Sequence, residues 1–236
     1  MMKTKEYYVN NLNVLYEDNH LIVVEKPIDV LSQKDITNDF DMNEIIKDYL
    51  KVKYNKPGNV YLGLVHRLDR RVGGVMVFAK TSKAASRLSE NIRNKEFHKL
   101  YLAKVRGILE KSSSINIKIK KDDNHYAIVC DDGKDSRLDY IVLGYDNNDT
   151  FVLVNLHTGR YNQIRASFNH INHPIINDYK YSHDQKNNES LALFCYAISI
   201  IHPVTKEKLI FTLLPHGDLW EGIDKYINDE YTLRYL

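Results

Sequence analysis

The sequence predicts an α+β fold: a single domain with a mostly antiparallel β-sheet. Three observations point there. Segments with strand periodicity outnumber those with helical periodicity. Hairpin-like turns join more of them than strand–helix–strand crossovers do. No Gly/Ser/Pro-rich linker, internal repeat or low-complexity tract interrupts the 236 residues, so one continuous domain over 1–236 is expected. A chain of that length buries roughly 70–75% of its unfolded surface and needs no disulfide or metal to fold.

Taken in order, NVLYEDNHLIVVEKP sets apolar residues on both sides of an EDNH turn, which predicts a hairpin. DMNEIIKDYLKVKY carries Asp41 and Glu44 at capping-box spacing and predicts a helix. VGGVMVFAK is a strand entered through Gly73 and Gly74. SKAASRLSENIRNKE predicts a second helix, with Ser82 as N-cap and Ala84, Leu88 and Ile92 on one face. HKLYLAKVRG returns to period two, with Lys99, Tyr101 and Ala103 on one side and Leu100 and Leu102 on the other. TFVLVNL runs through the HTGR turn into a helix, NQIRASFNHI. There Ile164, Phe168 and Ile171 form an apolar stripe and Arg165 sits one step off its edge. LALFCYAISI and KLIFTLLP bracket IHPVTKE as a last hairpin.

Composition narrows the function classes. Lys+Arg 33 against Asp+Glu 31 leaves a formal charge of +2, which argues against a histone-like binder but permits a locally basic cleft. Cys130 and Cys195 lie far apart without C-x-x-C spacing, so both are expected as free, buried thiols of a reducing cytosol. The start, MMKTKEYYVNN, lacks a signal-peptide core and no run reaches membrane-span length, so a cytoplasmic location is expected. Seventeen tyrosines supply faces that stack and hydroxyls that bond.

LVHRLDRRVGGVMVFAKT places Asp69 among Arg67, Arg70 and Arg71. Guanidinium groups within about 4–6 Å would keep that acid ionised, able to attack carbon or to stabilise positive charge. The plain alternative is a structural ion pair. Tyr101 is either a sheet-face tyrosine or a platform for a flat base, with Lys99 and Lys104 near enough for phosphates. In HTGRYNQIR, Gly159 turns the chain into a helix start suited to anions, flanked by Arg160 and Arg165. His170 and His173 have H-x-x-H spacing without a third ligand, so no metal is expected. The two glycines after the arginines form neither a phosphate loop nor a dinucleotide fingerprint, so no nucleotide cofactor is expected either.

The order of these pieces resembles the RluA-type pseudouridine synthases. The matching stretches are YEDNHLIVVEKP, HRLDRRVGGVMVFAKT, KLYLAKVRG, HTGRYNQIRASFNHINHPIINDYKY and IHPVTKEKLIFTLLP, in the family's order and spread along nearly the whole chain, from residue 16 to residue 215. The resemblance implies a cofactor-independent isomerase, expected as a monomer, that flips a uridine out of ribosomal or transfer RNA and rejoins it to its sugar through carbon. It implies Asp69 as the catalytic aspartate and Tyr101 as the ring under the target base. Arg165 becomes the basic partner of the aspartate, and Arg67 the side chain that fills the vacated stack. His66, Arg70, Lys99, Arg160 and Gln163 complete the expected RNA contacts. The family fold is a mixed, mainly antiparallel sheet ringed by helices.

Three departures stand out. Val72, Gly73 and Gly74 occupy positions where Thr-Ser-Gly is usual, Tyr161 and Asn162 where Thr-His is usual, and Asp29 where a glycine is usual. The small N-terminal RNA-binding domain of many relatives is expected to be missing. The alternatives are a catalytically inactive RNA-binding or RNA-folding protein on the same scaffold, and, ranked last, a carboxylate glycosidase or metal nuclease.

Overall fold

The computed structural model describes residues 3–182, 189–228 and 233–236. In chain order its elements begin α1 (Lys5–Asn10), β1 (Val14–Glu17), β2 (Leu21–Lys26), α2 (Met42–Lys53), β3 (Gly63–Leu64), β4 (Gly73–Ala79) and α3 (Ser82–Arg93). They continue β5 (His98–Arg106), β6 (Ser113–Lys121), β7 (Ala127–Val129), β8 (Lys134–Asp146) and β9 (Asp149–Leu156). α4 (Gln163–His170), β10 (Leu193–Ile201) and β11 (Lys208–Thr212) come next, followed by short 3₁₀ turns. Every strand pairing described below is antiparallel, as the hairpin-rich sequence predicts. Among the described residues no helix is long and apolar enough to cross a membrane.

The chain forms two compact units, residues 1–97 with 197–213 and residues 98–196 with 214–236. In the first, β1 pairs β2, and β2 pairs β4 from Leu21↔Ala79 to Lys26↔Gly74. Leu21 to Val24 and Val75 to Ala79 are fully buried, so these strands read as continuous apolar runs rather than alternating ones. The EDNH turn forms because Asp18 Oδ1 accepts from the N–H groups of His20 and Leu21, both at 2.7 Å. Asp41 caps α2 by accepting from Glu44 N at 2.8 Å, as its spacing predicts.

α3 differs from expectation in two places. Its N-cap is Thr81, whose hydroxyl accepts from Ala84 N, and Ser82 is already helical. Ile92 is 39% exposed, whereas Asn91 is buried, because Asn91 Nδ2 donates to Ile201 O at 2.8 Å. That bond lets a polar residue take the inner position.

In the second unit the strand order is β5-β9-β8-β6-β7. β5 and β9 run in register from Leu100↔Asn155 to Arg106↔Asp149. β5 is buried on both faces from Leu100 to Val105, so the two sides separated by period are both interior. A bulge between Val142 and Gly144 bends β8. A Cβ at Gly144 would fall 2.3 Å from the Tyr226 ring, so that close approach requires glycine. α4 seats Phe168 against Tyr140, ring centroids 5.5 Å apart. Ile171 lies past the helix end as its C-cap and is only half-buried. Cys195 is buried as expected, but Cys130 is partly exposed after the short strand β7.

Candidate active site

In the first unit the site residues lie on the loop between β3 and β4, and most of its anchors are backbone bonds. Lys26, at the end of β2, is fully buried and donates to three carbonyls: Pro27 O at 2.9 Å, Arg70 O at 3.0 Å and Val72 O at 2.8 Å. Ser32 Oγ donates to Leu68 O at 2.7 Å and accepts from Leu68 N at 3.0 Å. Asp29 N donates to the same Arg70 carbonyl at 2.9 Å, and Asp29 holds a left-handed φ of 64°. That conformation explains why glycine is usual there, and why aspartate, which tolerates it, can stand in. Gly74 is likewise left-handed in φ, at 121°.

Asp69 is half-buried on this clamped loop, and its Oδ1 accepts from Arg71 N at 2.9 Å. Arg67 is exposed, and Arg70 Nη1 pairs with Asp39 at 2.7 Å. A buried cation that feels Asp69 is Lys26. Burial pulls its ammonium down to about 7, while the carboxylates of Asp69 and Asp29 lift it and the Arg70 guanidinium lowers it further. Three carbonyl acceptors match the three N–H bonds of the charged form, and a neutral amine has only two. His66 is buried, and its Nε2 accepts from Val77 N at 3.0 Å, which leaves the neutral ring's proton on Nδ1.

In the second unit Tyr101 is buried on β5 beside Cys195, whose sulfur its hydroxyl meets. Burial pushes Tyr101 well above its ordinary range and Cys195 up to about 12, so both are protonated at neutral pH. Lys99 joins this group. Burial lowers its ammonium, and a Cβ at Gly159 would come to 3.9 Å of Nζ, so the lysine lies against the HTGR turn. Lys104 does not face solvent as expected for a phosphate contact; it is buried and pairs with Asp146 at 2.5 Å.

Arg165 is not at the edge of its helix but inside, 4% exposed. Its Nε donates to Asp178 Oδ2 at 2.8 Å and its Nη2 to Asp178 Oδ1 at 2.6 Å, a two-point ion pair with a fully buried acid. The guanidinium also lies 5.1 Å from the Tyr181 ring centroid. Gln163 shapes the preceding turn: Oε1 accepts from Thr158 Oγ1 at 2.9 Å and Arg160 N at 3.0 Å, and Nε2 donates to Arg137 O at 3.0 Å. Arg160 is exposed, with Nε on Asp135 O at 2.9 Å. Asn162 enters α4 with a left-handed φ of 46°, a conformation asparagine tolerates.

Sequence reasoning missed Lys26 and Asp178. The motif stretches YEDNHLIVVEKP and NHPIINDYKY contain both residues, but their partners are backbone carbonyls in one case and a distant arginine in the other. Neither pairing is visible as a spacing.

A family model described as RNA pseudouridylate synthase matches residues 20–170. The ribosomal large subunit pseudouridine synthase C of Buchnera aphidicola subsp. Baizongia pistaciae is 30% identical over 224 residues, covering 89% of this chain and 69% of that protein. The tRNA pseudouridine synthase C of Haemophilus influenzae is 28% identical, over 85% of this chain and 92% of its own. Among solved structures, human RNA Pseudouridylate Synthase Domain Containing 4 superposes with a TM-score of 0.75 at 20% identity, covering 90% of this chain and 93% of that one. That likeness carries the fold: a mixed sheet with flanking helices.

Proposed function

The chain belongs to the RNA pseudouridylate synthase family, and from that premise we propose that residues 1–236 act as one catalytic domain. Its reaction is the isomerisation of a uridine in structured ribosomal or transfer RNA. The observation that carries the reading is Asp69: a half-buried carboxylate on a loop whose backbone is clamped by Lys26 and Ser32.

A uridine inside a stem is out of reach, so the target must leave the stack at a cost of a few kcal/mol. Stacking on Tyr101 returns about 1–3 kcal/mol, and Arg67 entering the vacancy, with phosphate contacts, supplies the rest. The bond from C1′ to N1 then breaks, the base turns, and a bond from C1′ to C5 forms. The hydrogen on C5 leaves and N1 gains one, so no atom is lost and no oxidation state changes overall. Asp69 serves this exchange as an anion at the sugar, as carboxylates do in glycoside chemistry.

Arg165, its guanidinium held in place by Asp178, is the basic group that the second unit contributes. Lys99 and the exposed Arg160 meet phosphates, and Arg70 does so from its ion pair with Asp39. His66, through Nε2, and Gln163, through its amide, bond inside the protein and shape the site. The protonated Tyr101 is a platform and hydroxyl donor. Neither a metal nor a coenzyme is part of this scheme, and the acting species is a cytoplasmic monomer.

The test is to map pseudouridine across total RNA from cells with and without the gene. The reading expects at least one ribosomal or transfer RNA site to vanish with the gene and return with its expression. An unchanged map, with RNA binding intact, would instead identify an RNA-binding protein that does no chemistry.

A further inference from the structure

A cavity of about 420 Å³ opens in the second unit beside the C-terminal half of α4. Its walls include Tyr126 and Ile128 at the sheet-end strand β7, Asn169 and His170 of α4, and Lys180 and Tyr181 of the turn that carries Asp178. The volume suits a small ligand. Tyr126 and Ile128 remain 41% and 40% exposed, so ring and aliphatic surface face the opening.

The chemistry of the walls selects the ligand. Tyr126 and Tyr181 stand 5.9 Å apart at 70°, offering a face and an edge to a flat ring. The Asn169 amide and the His170 imidazole are exposed and make no side-chain hydrogen bond among the described residues, so both can read the polar rim of a base. Lys180 Nζ is fixed at the lip by His125 O at 2.6 Å, 4.8 Å from the Tyr126 centroid and 5.4 Å from that of Tyr161. Lys121 adds a second ammonium, 4.9 Å from the Tyr161 centroid. These cations suit a phosphodiester. Among the described wall residues the acid is Asp122, whose Oδ1 is engaged by Tyr126 N at 2.6 Å and which can accept only from a donor such as a base N–H.

Tyr181 links this cavity to the site already described. Its ring lines the cavity and also carries the Arg165 guanidinium at 5.1 Å. An RNA strand whose target nucleotide reaches Arg165 therefore passes within one side chain of the opening. We propose that the cavity is a second nucleotide subsite, which takes an unpaired base neighbouring the target uridine in the substrate RNA. This rests on the function proposed above.

The test measures binding of short single-stranded homopolymer RNAs, one for each base, by fluorescence anisotropy with the full chain. Tyr126→Ala should weaken binding of the preferred homopolymer by roughly 5- to 150-fold, the loss of one stacked base. Tyr126→Phe should bind as wild type, and Asn169→Ala should flatten the preference among the four. In turnover on bulk RNA from cells lacking the gene, Tyr126→Ala should raise KM by a similar factor with kcat unchanged. Equal binding by wild type and a folded Tyr126→Ala, or no binding of any homopolymer by wild type, overturns the subsite and leaves the proposed reaction standing. A wild type that forms no pseudouridine overturns the reaction, while a Tyr126→Ala binding defect still supports the subsite.

Discussion

Asp69 stands on a loop whose main chain is bonded by Lys26, Ser32 and Asp29, whereas Arg165 stands inside a helix and is held through its own guanidinium by Asp178. The first arrangement fixes a shape: the loop's path is held mostly by side chains that bond its main chain. The second fixes a charge through a buried carboxylate. Substitutions that strip the backbone clamp should therefore damage fold and activity together. Those at the ion pair should hit activity in proportion to what remains of the acceptor.

The largest effect is expected for Lys26→Met. It takes the lysine donor from the carbonyls of Pro27 and Val72 and leaves Arg70 O with Asp29 N, and should lower stability by roughly 3–5 kcal/mol and activity by at least about 100-fold. Chemical denaturation and turnover measure the two. The same pair of proteins tests the charge. The folded Lys26 titrates near 7, below its ordinary 10.5, so folding favours the neutral amine. Its cost to stability is full below about 7 and disappears as pH rises through 10.5. The stability gap between wild type and Lys26→Met should widen between pH 7 and 10; a gap that narrows contradicts the burial argument.

Asp178→Asn comes next. One oxygen still accepts from Arg165, but the buried guanidinium loses the Asp178 charge, for a stability loss of about 2–4 kcal/mol. kcat should fall and its pH profile shift, with KM little changed, and Asp178→Glu should recover part of the rate. A fall in stability alone, with kcat and profile unmoved, would reduce Asp178 to scaffolding.

How far the sequence reveals these two regions follows from where the partners lie. The β1–β2 hairpin, the Asp41 cap and the Lys99/Tyr101 face are local patterns, and each is present as expected. The Asn91 exchange with Ile92 is not local: the bond that buries Asn91 comes from Ile201, 110 residues on. Arg165 looks peripheral on a helical wheel because its counter-charge is supplied from outside the helix. In β6 the alternation Ile115, Ile117, Ile119 is a strand signal that was there to be read, and only its pairing with β8 needed the structure.

Smaller effects sharpen the contrast. Gln163→Ala removes three hydrogen bonds from the HTGR turn and should cost about 1–3 kcal/mol, with a rise in KM as Arg160 loses its fixed backbone. The smallest effect is expected for Tyr101→Phe. It keeps the ring and removes only the bond to Cys195, so stability should change by about 1 kcal/mol or less and RNA affinity should hold. A large fall in rate with affinity intact would give the hydroxyl a part in the chemistry.

The most direct test compares wild type with Asp69→Asn, using RNA that carries an isotopic hydrogen on uridine C5. Because the clamp acts on the backbone, the variant should fold and bind RNA as wild type does. Wild type should release the label as pseudouridine accumulates, and Asp69→Asn should do so at least about 1,000-fold more slowly. Release by the variant within about tenfold of wild type would contradict the assignment of Asp69 as the acting anion.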